Sequence, residues 1–229
     1  AHCADLNLVQ CSSSIGSLAR RLEEKYGIPC RSVSFLGIEE TSSALKTAAE
    51  FFENPGIIEE SEMMIARETK RICRKIEHYR AKFAGKRAAI CLNGASKAAS
   101  LIRASNELGI EVVIVGIRDG NWVDRQRIRN YIGRDAVDAN KLNSGDLGEL
   151  LSKENVDLII PGAEDQPVIR KLNIPICDIC HNRTSTFEGF DGMVNFAREI
   201  DIAINNRIEK PPARKKKTRG RPPCMAQKR

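Results

Sequence analysis

Apolar residues in this chain come in two patterns, short continuous runs and longer stretches where they recur every three or four positions. The runs at Ala88–Leu92, Val112–Val115, Leu158–Pro161 and Ile174–Ile179 read as strands buried on both faces, because a half-exposed strand would alternate apolar and polar residues. Residues 6–10 and 31–35 read as two further strands around a helix that follows Cys11. That helix carries Ile15, Leu18, Ala19 and Leu22 on one face, has Ser12–Ser14 as possible caps, and stops at Gly27 and Pro29. A second helix runs from Thr41 to about Phe52 and is broken by Asn54–Pro55–Gly56. A long one follows from about Glu59 to Phe83, with Ile65, Ile72, Ile76, Tyr79 and Phe83 turned inward, and ends at Gly85. At 1.5 Å per residue it would span roughly 36 Å. Helical spacing returns at Lys97–Leu108, Asp124–Tyr131, Asp146–Ser152, Pro167–Leu172 and about Phe187–Ile204.

Buried strands alternating with amphipathic helices predict an α/β fold, with Rossmann-like or flavodoxin-like parallel-sheet domains and a long connecting helix. The expected organisation is the C-terminal part of a truncated α/β domain over 1–55, the connecting helix over 56–85, a Rossmann-like domain with its closing helix over 86–206, and a disordered basic tail over 207–229.

Composition changes this picture mainly at the tail. The net charge is +7, but residues 207–229 hold ten Lys or Arg against one Glu, which leaves residues 1–206 at −2. Nucleic-acid binding therefore rests on the tail alone, where Arg219–Gly220–Arg221–Pro222 looks like an AT-hook core. A non-specific basic extension accounts for it more simply, and no nucleic-acid partner is expected. No apolar run approaches the roughly 18 residues a membrane helix needs, so no membrane partner is expected. The eight cysteines are irregularly spaced and no secretion signal is visible, which reads as buried thiols in a reducing, cytoplasmic setting rather than a disulfide framework. The chain opens on Ala1, almost directly at a strand, and reads as a fragment lacking an N-terminal part.

Candidate chemistry gathers at strand ends. Cys11 falls where a strand hands over to a helix, a setting of unpaired N–H groups and positive dipole that favours thiolate. The plain alternative is a small buried cysteine. Ligands of an open parallel sheet sit beyond its C-terminal strand ends. There the loop Leu92–Lys97 offers Gly94 and Lys97, without the spacing of a dinucleotide or Walker loop. Cys177–Asp178–Ile179–Cys180–His181 has the literal spacing of a c-type haem attachment site, but haem attachment needs export. A zinc site would need a second ligand pair. A redox cysteine pair stays open.

Several segments together carry a resemblance. They are Leu6–Ile15, Glu24–Pro29, Phe35–Ile38 with Thr41–Ser42, Gly85–Ala88, Leu108–Val113, Ile174–Pro175, Gly189–Met193 and Asn195–Arg198, in this order and spacing. The chain resembles α-type subunits of the nitrogenase component 1 family over roughly residues 3–206, a family that includes catalytic subunits and cofactor assembly scaffolds. The resemblance implies an iron-sulfur cluster, specifically an iron-molybdenum-type cofactor or its precursor, held at Cys11. It also implies a basic residue near the cofactor at Lys97, beside Gly94, and a second ligand at Cys180 or the adjacent His181. Glu164 stands where the catalytic subunit has a lysine, and an acidic residue there would repel the organic acid of the catalytic cofactor. The spacing around Cys180 is closer to the scaffold. The implied partners are a β-type component 1 homologue in a heterotetramer and an ATP-dependent iron protein. The implied role is cofactor assembly for nitrogen fixation. The alternatives are the catalytic subunit of a nitrogenase-like oxidoreductase and a nucleic-acid-binding protein acting through the tail.

Overall fold

Thirteen elements follow one another in the computed structural model, which describes residues 3–10, 12–120, 122–133, 137–138, 144–162, 174–179 and 185–205. In chain order they are β1 (Asn7–Val9), α1 (Ser12–Tyr26), β2 (Cys30–Ser32), α2 (Ile38–Phe51), α3 (Pro55–Phe83), β3 (Arg87–Gly94), α4 (Ala95–Glu107), β4 (Glu111–Asp119), α5 (Trp122–Tyr131), β5 (Val137–Asp138), α6 (Ser144–Lys153), β6 (Leu158–Pro161) and α7 (Gly189–Asn205). β1 and β2 form a two-stranded parallel sheet. β5, β4, β3 and β6 form a four-stranded parallel sheet in that spatial order.

The apolar run of β3 is buried on both sides, as its sequence requires. Ala88, Ile90 and Leu92 face one core and Ala89 and Cys91 the other. The first core gathers Ile72, Ile76 and Phe83 of α3, Leu101 and Ile102 of α4, and Met193 and Phe196 of α7. The second holds Leu147 and Leu151 of α6 against Val113, Ile114 and Ile159. A β-bulge explains why two consecutive β4 residues share that face: Ala88 pairs with Val112 and Ala89 with Ile114, so Val113 is the extra residue.

The N-terminal unit is thinner. Ala19 is buried and Leu22 half-buried against the two short strands, but Ile15 and Leu18 are 45% and 57% exposed. The expected four-residue inward face of α1 is thus only half realised, because two strands of three residues offer too little surface to cover it. β2 also stops at Ser32, short of the expected 35. The chain beyond it turns to the main body, where Leu36 bridges Glu188 in antiparallel fashion.

Helix starts depart from expectation for identifiable reasons. α3 begins at Pro55, because Asn54 accepts hydrogen bonds from the Gly56 and Ile57 N–H groups at 2.9 and 3.4 Å, and proline suits the first helical position. What reads as a helix breaker is therefore a helix start, and its 29 residues span about 43 Å. Ile174–Ile179 is not a full strand. Ile176 alone bridges Ile159, with the Ile159 N–H donating to Pro175 O and the Cys177 N–H to Ile159 O. Pro175 has no N–H to extend that ladder. The expected helix at Pro167–Leu172 and the tail lie outside the described residues.

Candidate functional site

The four-stranded sheet, extended by the bridge at Ile176, reads 3-2-1-4-5 when its strands are counted from β3. That order reverses direction between β3 and β6, and a parallel sheet of this kind opens its ligand crevice there, beyond the C-terminal strand ends. The residues at that point are Asn93–Gly94 at the end of β3 and Pro161–Gly162 at the end of β6.

Their geometry depends on small residues. β3 runs into α4 with no intervening loop, and Gly94 is the N-cap. Glycine supplies no side-chain acceptor, so no side chain of the cap closes the N-terminus of α4. A Cβ on Gly94 would meet nothing within 4 Å, so this end of the helix faces open space. Gly162 lies close against the neighbouring strand. Its N–H donates to Cys91 O, and a Cβ there would come within 3.3 Å of that oxygen and 3.6 Å of Asn93 Oδ1. On the other side a Cβ on Gly120 would overlap Ala95, so the β4–α5 turn sits directly on the first residue of α4. The α4 N-terminus thus lies beside the ends of β3, β4 and β6, and Lys97 is exposed within its first turn. Helix dipole and lysine charge both favour an anion there.

Gly94 and Lys97 thus stand together at the switch point. Cys11, Cys180, His181 and Glu164 lie outside the described residues. Their flanks are placed: β1 and α1 border Cys11, and the chain through Cys177 and Ile179, both buried, runs parallel to β6 toward the same sheet edge as Gly94. Among the described residues no three His, Cys, Asp or Glu side chains are grouped to hold a metal ion. The described part of this edge therefore offers anion-binding groups, and the expected metal donors Cys11, Cys180 and His181 are not among the described residues.

Two groups of residues elsewhere in the main body were not readable from sequence. Glu40, 4% exposed on α2, accepts from Arg103 at 3.1 Å and from Arg127 at 2.9 and 3.0 Å. Arg103 also pairs with Glu39 and lies over the Tyr131 ring, which ties α2, α4 and α5 together. Burial disfavours the Arg127 charge, but Glu40 and Tyr131 together outweigh it and hold that guanidinium above its usual value. The second group is at α7. Asp191 takes both guanidinium nitrogens of Arg71 at 2.8 Å, with Lys75 at 3.3 Å. The Arg71 hydrogen bonds, helped by Lys75 and opposed by slight desolvation, hold its carboxyl at about 2. Beside it, a Cβ on Gly192 would overlap the Phe187 carbonyl, which accounts for the glycine of the Gly189–Met193 motif.

A model of the nitrogenase component 1 type oxidoreductases matches residues 1–205, and the chain belongs to that family. Among its relatives is the nitrogenase iron-molybdenum cofactor biosynthesis protein NifE of Methanosarcina barkeri, 41% identical over 207 residues, covering 90% of this chain and 45% of that protein. The proteins of the same name from Methanococcus maripaludis and Clostridium pasteurianum are 36% and 35% identical, over 91% and 90% of this chain and 43% and 45% of theirs. The chain thus spans under half the length of these curated relatives. The solved structure described as nitrogenase Cp1 at pH 6.5 superposes with a TM-score of 0.77 at 21% identity, over 93% of this chain and 52% of that one, and shares the fold. Among the described residues no helix is long and apolar enough to cross a membrane.

Proposed function

We propose that this chain is the cluster-holding part of an α-type cofactor assembly subunit, whose cargo is an iron-sulfur cluster of the iron-molybdenum cofactor type or its precursor. The observation that carries the reading is the identity of 35–41% over nine-tenths of the chain to proteins named for cofactor biosynthesis. Cys11 anchors the cluster as thiolate, and Cys180 or His181 supplies a second donor. The α4 N-terminus with Gly94 and Lys97 carries the anionic side of the cargo. The working form pairs with a β-type component 1 homologue and exchanges with an ATP-dependent iron protein. The four units 1–55, 56–85, 86–206 and 207–229 remain the proposed division of the chain.

The test is Cys11→Ala in the full-length complex. Iron content should fall and the cluster's electron paramagnetic signal should disappear, with circular dichroism unchanged. Unchanged iron and an unchanged spectrum in that variant would sink the reading. The family's oxidoreductase description favours a second reading, a catalytic subunit. Substrate reduction by the purified complex, supplied with iron protein and ATP, would establish that reading instead.

A further inference from the structure

α2 and α3 form a hairpin whose outer half stands off the main body. The two helices pack on each other, and Ala44, Ala49 and Ile65 are buried, but none of the three joins either core. α3 starts at Pro55 and first enters a core at Ile72, about 25 Å further along its axis. This outer half still carries large apolar side chains. Phe52, Ile57 and Met63 are 50%, 42% and 59% exposed, and the Phe51 and Phe52 rings meet edge to face at 5.3 Å.

The charge of the hairpin tip is of one sign. Between Lys46 and Arg67 the chain has Glu50, Glu53, Glu59, Glu60 and Glu62 and no Lys or Arg. All five are exposed, and among the described residues none forms an ion pair, whereas Glu39, Glu40, Glu68 and Glu154 all do. The helix dipole does not call for them: Asn54 already caps α3, and no acidic residue lies in its first turn. Like charges around an apolar surface repel one another and leave that surface bare to water. An opposing cationic surface relieves the repulsion as it covers the apolar side chains.

We propose that the tip of the α2–α3 hairpin docks a second, different protein, one that presents Lys and Arg around an apolar socket. A second copy in a two-fold contact would set this patch against itself, carboxylate facing carboxylate, so the partner is not an isologous copy. Nucleic acid and anionic lipid carry the charge of the tip itself. Phe52 and Ile57 fill the socket and supply most of the affinity, while the carboxylates form the rim and steer the approach.

The experiment treats the purified full-length assembly with a carbodiimide, which joins a carboxylate directly to an amine in contact with it. Carboxylates among Glu50, Glu53, Glu59, Glu60 and Glu62 should link to lysines of a different polypeptide, and mass spectrometry of the joined peptides identifies it. Phe52→Ser combined with Ile57→Ser should then weaken binding of that polypeptide by about thirtyfold or more. Both side chains are exposed, so circular dichroism should not change. Glu59→Gln combined with Glu60→Gln and Glu62→Gln should slow association severalfold at low salt and flatten its salt dependence. Links only within the subunit's own polypeptide, or no links at all, would overturn the proposal. So would wild-type binding by the Phe52 and Ile57 double variant.

Discussion

Alanine at Glu40 removes a carboxylate that two guanidiniums share. In the native arrangement Arg127 has Glu40 at 2.9 Å and Asp124 only at 3.9 Å, so the variant leaves it with the Tyr131 hydroxyl and a distant carboxylate. Arg103 keeps Glu39 and the Tyr131 ring. Breaking one side of a fully buried pair costs about 3–5 kcal/mol. Both arginine side chains are 30% exposed, so water recovers part of that loss, and about 2–3 kcal/mol is expected. For a body of this size that lowers the thermal midpoint by about 5–10 °C. The assay is thermal unfolding of Glu40→Ala, Arg127→Ala and the double variant. Because removing Arg127 relieves the stranded charge, the double variant should be less destabilised than the sum of the singles by about 1–3 kcal/mol. Strict additivity, or a Glu40→Ala shift of under about 2 °C, would refute the claim that this network ties α2 to α4 and α5.

Two further outcomes are expected. Asp191 has its carboxyl held at about 2 against a usual 3.8, so its contribution is present above pH 3.8 and is lost as pH falls through 2; the destabilisation caused by Asp191→Asn should shrink over that window in acid-unfolding curves. Asn54→Ala should cost about 1 kcal/mol in thermal unfolding, because it opens the N-terminus of α3 without touching the core.

Most of the main body could be read from the sequence, because β3, β4 and β6 are buried on both faces and their helices carry one apolar side. What could not be read depends on partners distant in sequence. α2 starts at Ile38 rather than Thr41 because Glu107 caps it from 69 positions away, and no local residue announces that. Glu40 looks like one charge among many until Arg103 and Arg127 are brought beside it. β5 has two residues, too few for any periodicity to show. The outward turn of Ile15 and Leu18 was hidden for the opposite reason: their spacing is helical, but periodicity does not say how much surface lies opposite. At the site, Gly94 and Lys97 were legible as a glycine and a lysine at a strand end. The close approaches of Gly120 and Gly162 were not, since they depend on how three strand exits meet.

The bridge between Leu36 and Glu188 has a consequence for how the chain comes into being. Closing a loop of that length costs several kcal/mol of chain entropy before any contact repays it. During synthesis the first half of the bridge waits for the second, roughly 10–30 s at ordinary elongation rates. From about midway through that interval Glu107 has been made and can cap α2, but α7 cannot yet cover Ile72, Ile76 and Phe83. The nascent chain therefore passes through a stage with α3, the longest helix among the described residues, half-clothed.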